Sequence, residues 1–147
     1  LSDHAEDVMR AEGVELPQSE RMERLDNHDM WASVASGSAR WDAMIVVPAS
    51  MGTVARVASG VSRTLIERAA DVMLKERRRL VVVVRESPYS LIHLRNMTTL
   101  TEAGAIVMPA SPSFYFTPAT IEELCLTTSL RAVEMAGVDV THRSWGE

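Results

Sequence analysis

Three short runs of uninterrupted apolar residues punctuate the chain, and between them apolar positions recur every three or four residues. The runs are Ala43–Val47, Leu80–Val84 and Ala105–Met108, each bounded by polar or turn-forming residues. Runs of this length without alternation are the mark of strands covered on both faces. Leu80–Val84 carries four valines in succession, whose branched side chains favour extended backbone. The intervening segments predict helices. From Ser2 onward, Ala5, Val8 and Met9 form one face of a short amphipathic helix, with Ser2 or Asp3 as its N-cap and Gly13 as its stop. Residues 14–40 hold no sustained period, which predicts a loop with one helical turn near Glu20–Leu25. A helical turn ending at Gly60 precedes a longer helix striped by Leu65, Ile66, Ala69, Ala70 and Met73. Ser90 caps the next helix and Gly104 ends it. The last helix opens at Thr117-Pro118 and carries Ile121, Leu124, Cys125, Thr128, Ala132 and Met135 on one stripe until Gly137.

Strands that alternate with helices require right-handed crossovers, so the pattern predicts a three-layer α/β fold with a parallel sheet between helices. With 147 residues, 46% hydrophobic and 24% charged, one domain over 1–147 is expected. The net charge of −5 has no basic block, which argues against nucleic acid and against an anionic membrane surface. No apolar stretch approaches the roughly 20 residues of a membrane span. A single cysteine, and an opening without a signal-peptide pattern, set the expectation of a cytoplasmic protein. The four histidines show no metal-ligand spacing, so no metal is expected.

Parallel sheets bind ligands beyond the carboxyl ends of their strands, and the three strand ends here are chemically rich. After the first comes "PASMGT", with Ser50, Met51, Gly52 and Thr53 leading into a helix. A turn of that composition can wrap an anion or a flavin edge with amides and hydroxyls. After the second come Arg85 and Glu86, and after the third a proline-stiffened loop bearing Tyr115. A guanidinium, a carboxylate, hydroxyls and a phenol on one edge favour a phosphorylated ligand. Plainer readings stand beside these. Arg85-Glu86 also fits a surface ion pair, Tyr115 a packed aromatic, and Cys125 a core position. Arg68, Lys75 and Arg131 fit solvated helix faces, with Asp71 and Lys75 as an i,i+4 pair.

From "LIERAADVMLKERRRLVVVVRESPYSLIHLRNMTTLTEAGAIVMPASPSFYFTPATIEEL", extended upstream through "ASGS" at 35–38 and "PASMGT" and downstream to "RSWGE", the chain resembles the flavin prenyltransferase (UbiX-type) family. The resemblance implies a flavodoxin-like, Rossmann-like α/β protein that binds reduced FMN and dimethylallyl phosphate without a metal. It joins the prenyl group to flavin N5 and C6 and passes prenylated FMN to a UbiD-type decarboxylase. It implies FMN contacts at Ser2, the Ser50–Thr53 turn and Arg85. Around the prenyl phosphate it implies Arg68, Lys75, Tyr115 and Arg131, with Trp145 near a closing tail. Glu86 is then the proton donor to the leaving phosphate, with Glu12 as an acid or base at the flavin and Lys75 as a further catalytic group. Homo-oligomers, usually dodecamers, are implied as well. Lys75 ends a helix that runs away from Arg85, so a neighbouring subunit is expected to supply it. Family members begin with a strand and a "GASG"-like turn that holds the flavin phosphate, and from its opening at Leu1 the chain is expected to lack both. The alternatives are a flavin-dependent cysteine decarboxylase, whose relatives read "PASANT" where Met51-Gly52 stand here, and a non-catalytic flavin carrier.

Overall fold

A computed structural model describes residues 1–115 and 117–140. Its sheet has three parallel strands in the order β1 (Ala43–Ala49), β2 (Arg79–Val84), β3 (Ile106–Pro109). Helix α1 (Ala5–Glu12) and a 3-10 turn (Ser33–Ala35) precede the sheet, α2 (Met51–Ala58) and α3 (Leu65–Lys75) join β1 to β2, α4 (Leu91–Glu102) joins β2 to β3, and α5 (Ile121–Met135) follows β3.

The central position of β2 explains its composition. Leu80, Val82 and Val84 point to one face, packed against Met51, Val54 and Val57 of α2, Ala70 and Met73 of α3, and Leu100 of α4. Val81 and Val83 point to the other, against Ala132 and Ala136 at the end of α5. Each buried Val or Leu contributes roughly 1.5–3 kcal/mol. Helices on both faces make the three-layer arrangement that the alternating pattern predicts.

Several local expectations need correction. β1 borders the sheet of the described residues, and there its apolar run is only half-buried, with Val47 exposed. An apolar run says that a strand is covered somewhere, not on how many sides. β1 extends through Pro48, and its pairing with β2 becomes irregular between Val46 and Ala49, where proline offers no N–H. α1 is capped by neither Ser2 nor Asp3; His4 takes that position without a side-chain bond. Asp3 instead accepts a hydrogen bond from Asn27 Nδ2 at 3.0 Å, and the carbonyls of buried Asn27 accept from the amides of Leu65 and Ile66. The loop is thereby pinned to the start of α3. Its helical turn falls at Ser33–Ala35 rather than at 20–25. α5 begins at Ile121 behind a Thr120 cap, leaving Pro118 outside it. Cys125 is exposed, because only the last turn of α5 reaches the sheet.

Helix α4 begins as expected at Ser90, whose Oγ accepts from the His93 amide while His93 Nδ1 accepts from the Ser90 amide, both at 3.2 Å. Ser90→Ala should therefore cost about 1 kcal/mol, read as a lower urea midpoint with unchanged slope. At the far end of the sheet Gly137 has φ 92°, and a side chain there would collide with the Arg79 guanidinium.

Candidate functional site

Parallel pairing puts the carboxyl ends of all three strands on one edge. Val84, the last residue of β2, accepts a hydrogen bond at its carbonyl from the Ala110 amide at 2.8 Å, which holds Arg85 beside the loop that follows β3. That loop is tied to α5 through the Ser113 amide and Thr127 Oγ1, 3.0 Å apart. At the end of β1, Ser50 caps α2: its Oγ accepts from the Thr53 amide at 3.2 Å and lies 3.1 Å from Thr53 Oγ1. Met51 is buried in the core, so only its backbone can serve a ligand, whereas Gly52 is exposed. Arg85 is exposed and Glu86 half-buried. No ion pair joins them among the described residues; the Glu86 carboxylate accepts from the Ser87 amide at 3.1 Å. Phe114 and Tyr115 are 69% and 73% exposed, so both rings are open to solvent over most of their surface.

One edge thus gathers the 50–53 turn, Arg85, Glu86 and the 110–115 loop. The donor set suits a flavin and a phosphate: hydroxyls and helix-start amides on one side, a fixed cation and a phenol on the other. The remaining residues lie elsewhere in the chain. Arg68 Nε donates to the Ala35 carbonyl at 3.0 Å and its Nη1 contacts Asp71 at 2.8 Å, so Asp71 pairs with Arg68 rather than with Lys75. Lys75 ends α3 at the opposite edge, paired with Glu76 and close against Gly37. Arg131 lies one turn beyond Thr127 and pairs with Glu134. Glu12 ends α1, exposed, and no hydrogen bond or ion pair ties it to the strand-end loops among the described residues. Ser2 precedes α1 and is exposed. Trp145 lies outside the described residues.

Pattern reading misses three polar groups. Arg78 donates to the carbonyls of Gly37 and Ala39 at 2.7 and 2.6 Å, so with Arg68 it staples the 35–39 segment to the α3 side. Glu67, 3% exposed, accepts from Arg56 Nε and from the amides of Arg63 and Thr64 at 2.8 and 3.2 Å. Burial raises its pKa, but the bonds from Arg56 and the two amides outweigh that and hold it below the ordinary carboxylate value. Thr64-x-x-Glu67 is a legible capping box; nothing in the pattern announces Arg56 as partner.

A concavity of about 1210 Å³ lies away from this edge. It runs between α1, the 14–25 loop, the outer side of β1 and α3, and its walls are chiefly apolar, with Met9, Trp41, Met44 and Ile66 among them. None of the residues expected to act in chemistry lines it. The strand-end edge, by contrast, holds Ser50, Arg85 and Glu86. Among the described residues no helix is long and apolar enough to cross a membrane, and no cluster of three or more His, Cys, Asp or Glu could hold a metal ion.

A parallel α/β sheet with hydroxyl, guanidinium and carboxylate groups at its strand ends defines a nucleotide-cofactor-binding class of protein. The family model "Flavoprotein" matches residues 2–135. A flavin prenyltransferase UbiX from Thermoplasma acidophilum is 45% identical over 127 residues, covering 86% of this chain and 71% of that protein. A crystal structure of AnUbiX (PadA1) in complex with FMN and dimethylallyl pyrophosphate superposes with a TM-score of 0.76 at 49% identity, covering 81% of this chain and 65% of that one. A dodecameric FMN-dependent UbiX-like decarboxylase from Escherichia coli O157:H7 superposes with a TM-score of 0.88 at 37% identity, covering 99% and 81%. The chain belongs to the flavin prenyltransferase (UbiX) family. It spans 71%, 62% and 54% of the lengths of three curated relatives.

Proposed function

We propose that this chain carries the prenyl-transfer site of a flavin prenyltransferase, one that joins the dimethylallyl group of dimethylallyl phosphate to N5 and C6 of reduced FMN. The prenylated FMN then serves a UbiD-type decarboxylase. The observation that carries this reading is the gathering of Ser50–Thr53, Arg85, Glu86 and the Tyr115 loop on one sheet edge, in a chain of this family. FMN, when bound, supplies the nucleophilic ring atoms, and no activated Ser or Cys is needed. Ser50, Gly52, Thr53, the Met51 backbone and Arg85 would hold it, with Ser2 at its margin. Arg68, Tyr115 and Arg131 would neutralise charge growing on the departing phosphate, with Trp145 closing over it. Glu86 hands that oxygen a proton, and Glu12 is a second acid-base group at the flavin.

The test is a mixture of the protein with reduced FMN and dimethylallyl phosphate, or the diphosphate, followed by mass spectrometry of the flavin. A gain of one prenyl unit supports transfer. Release of CO2 from a cysteinyl peptide would support the decarboxylase alternative, and binding without either product a carrier.

Lys75 lies at the edge opposite Arg85 of its own chain, so we place it in the site of a neighbouring copy within a homo-oligomer. Glu86→Gln and Lys75→Ala proteins, each nearly inactive alone, should regain about a quarter of wild-type turnover when co-assembled in equal amounts, since random pairing leaves that share of sites intact. Absence of any recovery would rule out a shared site.

A further inference from the structure

Arg56 belongs to no expected set, yet it touches the same turn. Its Nε donates to Glu67, its Nη2 lies 3.4 Å from Thr53 Oγ1, and its Nη1 lies 3.2 Å from where a side chain on Gly52 would begin. Glu67 is itself locked, because its second carboxylate oxygen accepts from the amides of Arg63 and Thr64 at the start of α3. The result is a rigid link between two helices: carboxylate on α3, guanidinium from the last turn of α2, hydroxyl in the first turn of α2. Thr53 Oγ1 then lies 3.1 Å from Ser50 Oγ, so the link ends on both hydroxyls of the candidate flavin turn.

We propose that Arg56, held by Glu67, is a positioning residue that fixes the Thr53 and Ser50 hydroxyls for flavin binding. A guanidinium is needed for this because one planar fork must reach a carboxylate and a hydroxyl together; an ammonium on a flexible stem serves one of them at a time. The geometry also restricts residue 52, since any side chain there presses on the guanidinium. The inference deepens the flavin-binding reading of the 50–53 turn and rests on it for its functional consequence, while the link itself is a property of the free protein.

Two measurements separate these. The first is amide hydrogen exchange of the free protein: Arg56→Met and Arg56→Lys should each lower protection at Thr53 and Val54 several-fold. The second is a double-mutant cycle on FMN affinity, read by flavin fluorescence. Arg56→Met should weaken FMN by about tenfold in the wild-type background, the scale of one charged hydrogen bond, and by less than about twofold in a Thr53→Val background. Arg56→Lys should not rescue. Unchanged protection in Arg56→Met overturns the link, and so does an equal loss of affinity in both backgrounds, which would place Arg56 on the ligand or in general stability instead. If the wild-type protein binds no FMN, the flavin reading of the turn fails, and the exchange data alone decide whether Arg56 orders it.

Discussion

Glu86→Gln is expected to slow prenyl transfer by a factor of about 10² or more, the usual worth of a positioned general acid, while FMN affinity changes less than about twofold. The amide has nearly the same size and can still accept the hydrogen bond from the Ser87 amide that orients residue 86. What it lacks is a transferable proton. The C–O bond to phosphate breaks with charge accumulating on the leaving oxygen, so a missing proton is felt in the transition state rather than in ground-state binding. The residue follows directly on exposed Arg85 and the buried end of β2, so the substitution leaves the core untouched. Single-turnover formation of prenylated flavin, measured beside flavin affinity, is the check. Unaltered turnover would remove Glu86 from the chemistry. A parallel fall in flavin affinity would make it a scaffold for the strand-end loops.

What could be read in the residue pattern follows from which physical signals are local. β2 was legible because a central strand buried on both faces leaves an unbroken apolar run. The same kind of run in β1 is only half-buried where that strand borders the sheet of the described residues, so an apolar run alone does not say how much of it is covered. The site edge was legible for a different reason: once the strands are parallel, the strand-end loops carrying Ser50, Arg85 and Tyr115 must share an edge whatever their separation in sequence. Helix stripes were less dependable. The period in α5 marks a face correctly but does not say what meets it: among the described residues Ala132, Met135 and Ala136 at its end pack on the sheet, while Ile121 and Cys125 are exposed. Opposite-edge residues can be foreseen when the helix direction is followed to its end, as with Lys75. The Arg56–Glu67 bond could not be foreseen, because the partners lie on different helices and no periodicity relates them. Half of it was visible all the same, in the Thr64-to-Glu67 spacing.

Glu67→Gln should be the most destabilising of the conservative changes considered, and its effect should depend on pH in a defined sense. The carboxylate is 3% exposed and accepts from Arg56 and from two amides at the start of α3. Glutamine can accept some of these bonds, but its amide nitrogen then faces donors, leaving at least one buried group unsatisfied. Removing one member of a buried pair costs about 3–5 kcal/mol, and because Arg56 is 47% exposed and water can solvate it, we expect about 2–3 kcal/mol at neutral pH. The pKa of Glu67 is lowered on folding from its usual 4.5, burial being outweighed by the hydrogen bonds. A group depressed in this way stabilises the fold fully above its unfolded value and loses that contribution as pH falls through the folded one. The gap in urea stability between wild type and Glu67→Gln should therefore be widest at pH 7 and narrow progressively below about pH 4.5. A gap that stays constant down to pH 3.5 would mean that the carboxylate's charge does not stabilise the fold, and that Glu67 acts only through its shape.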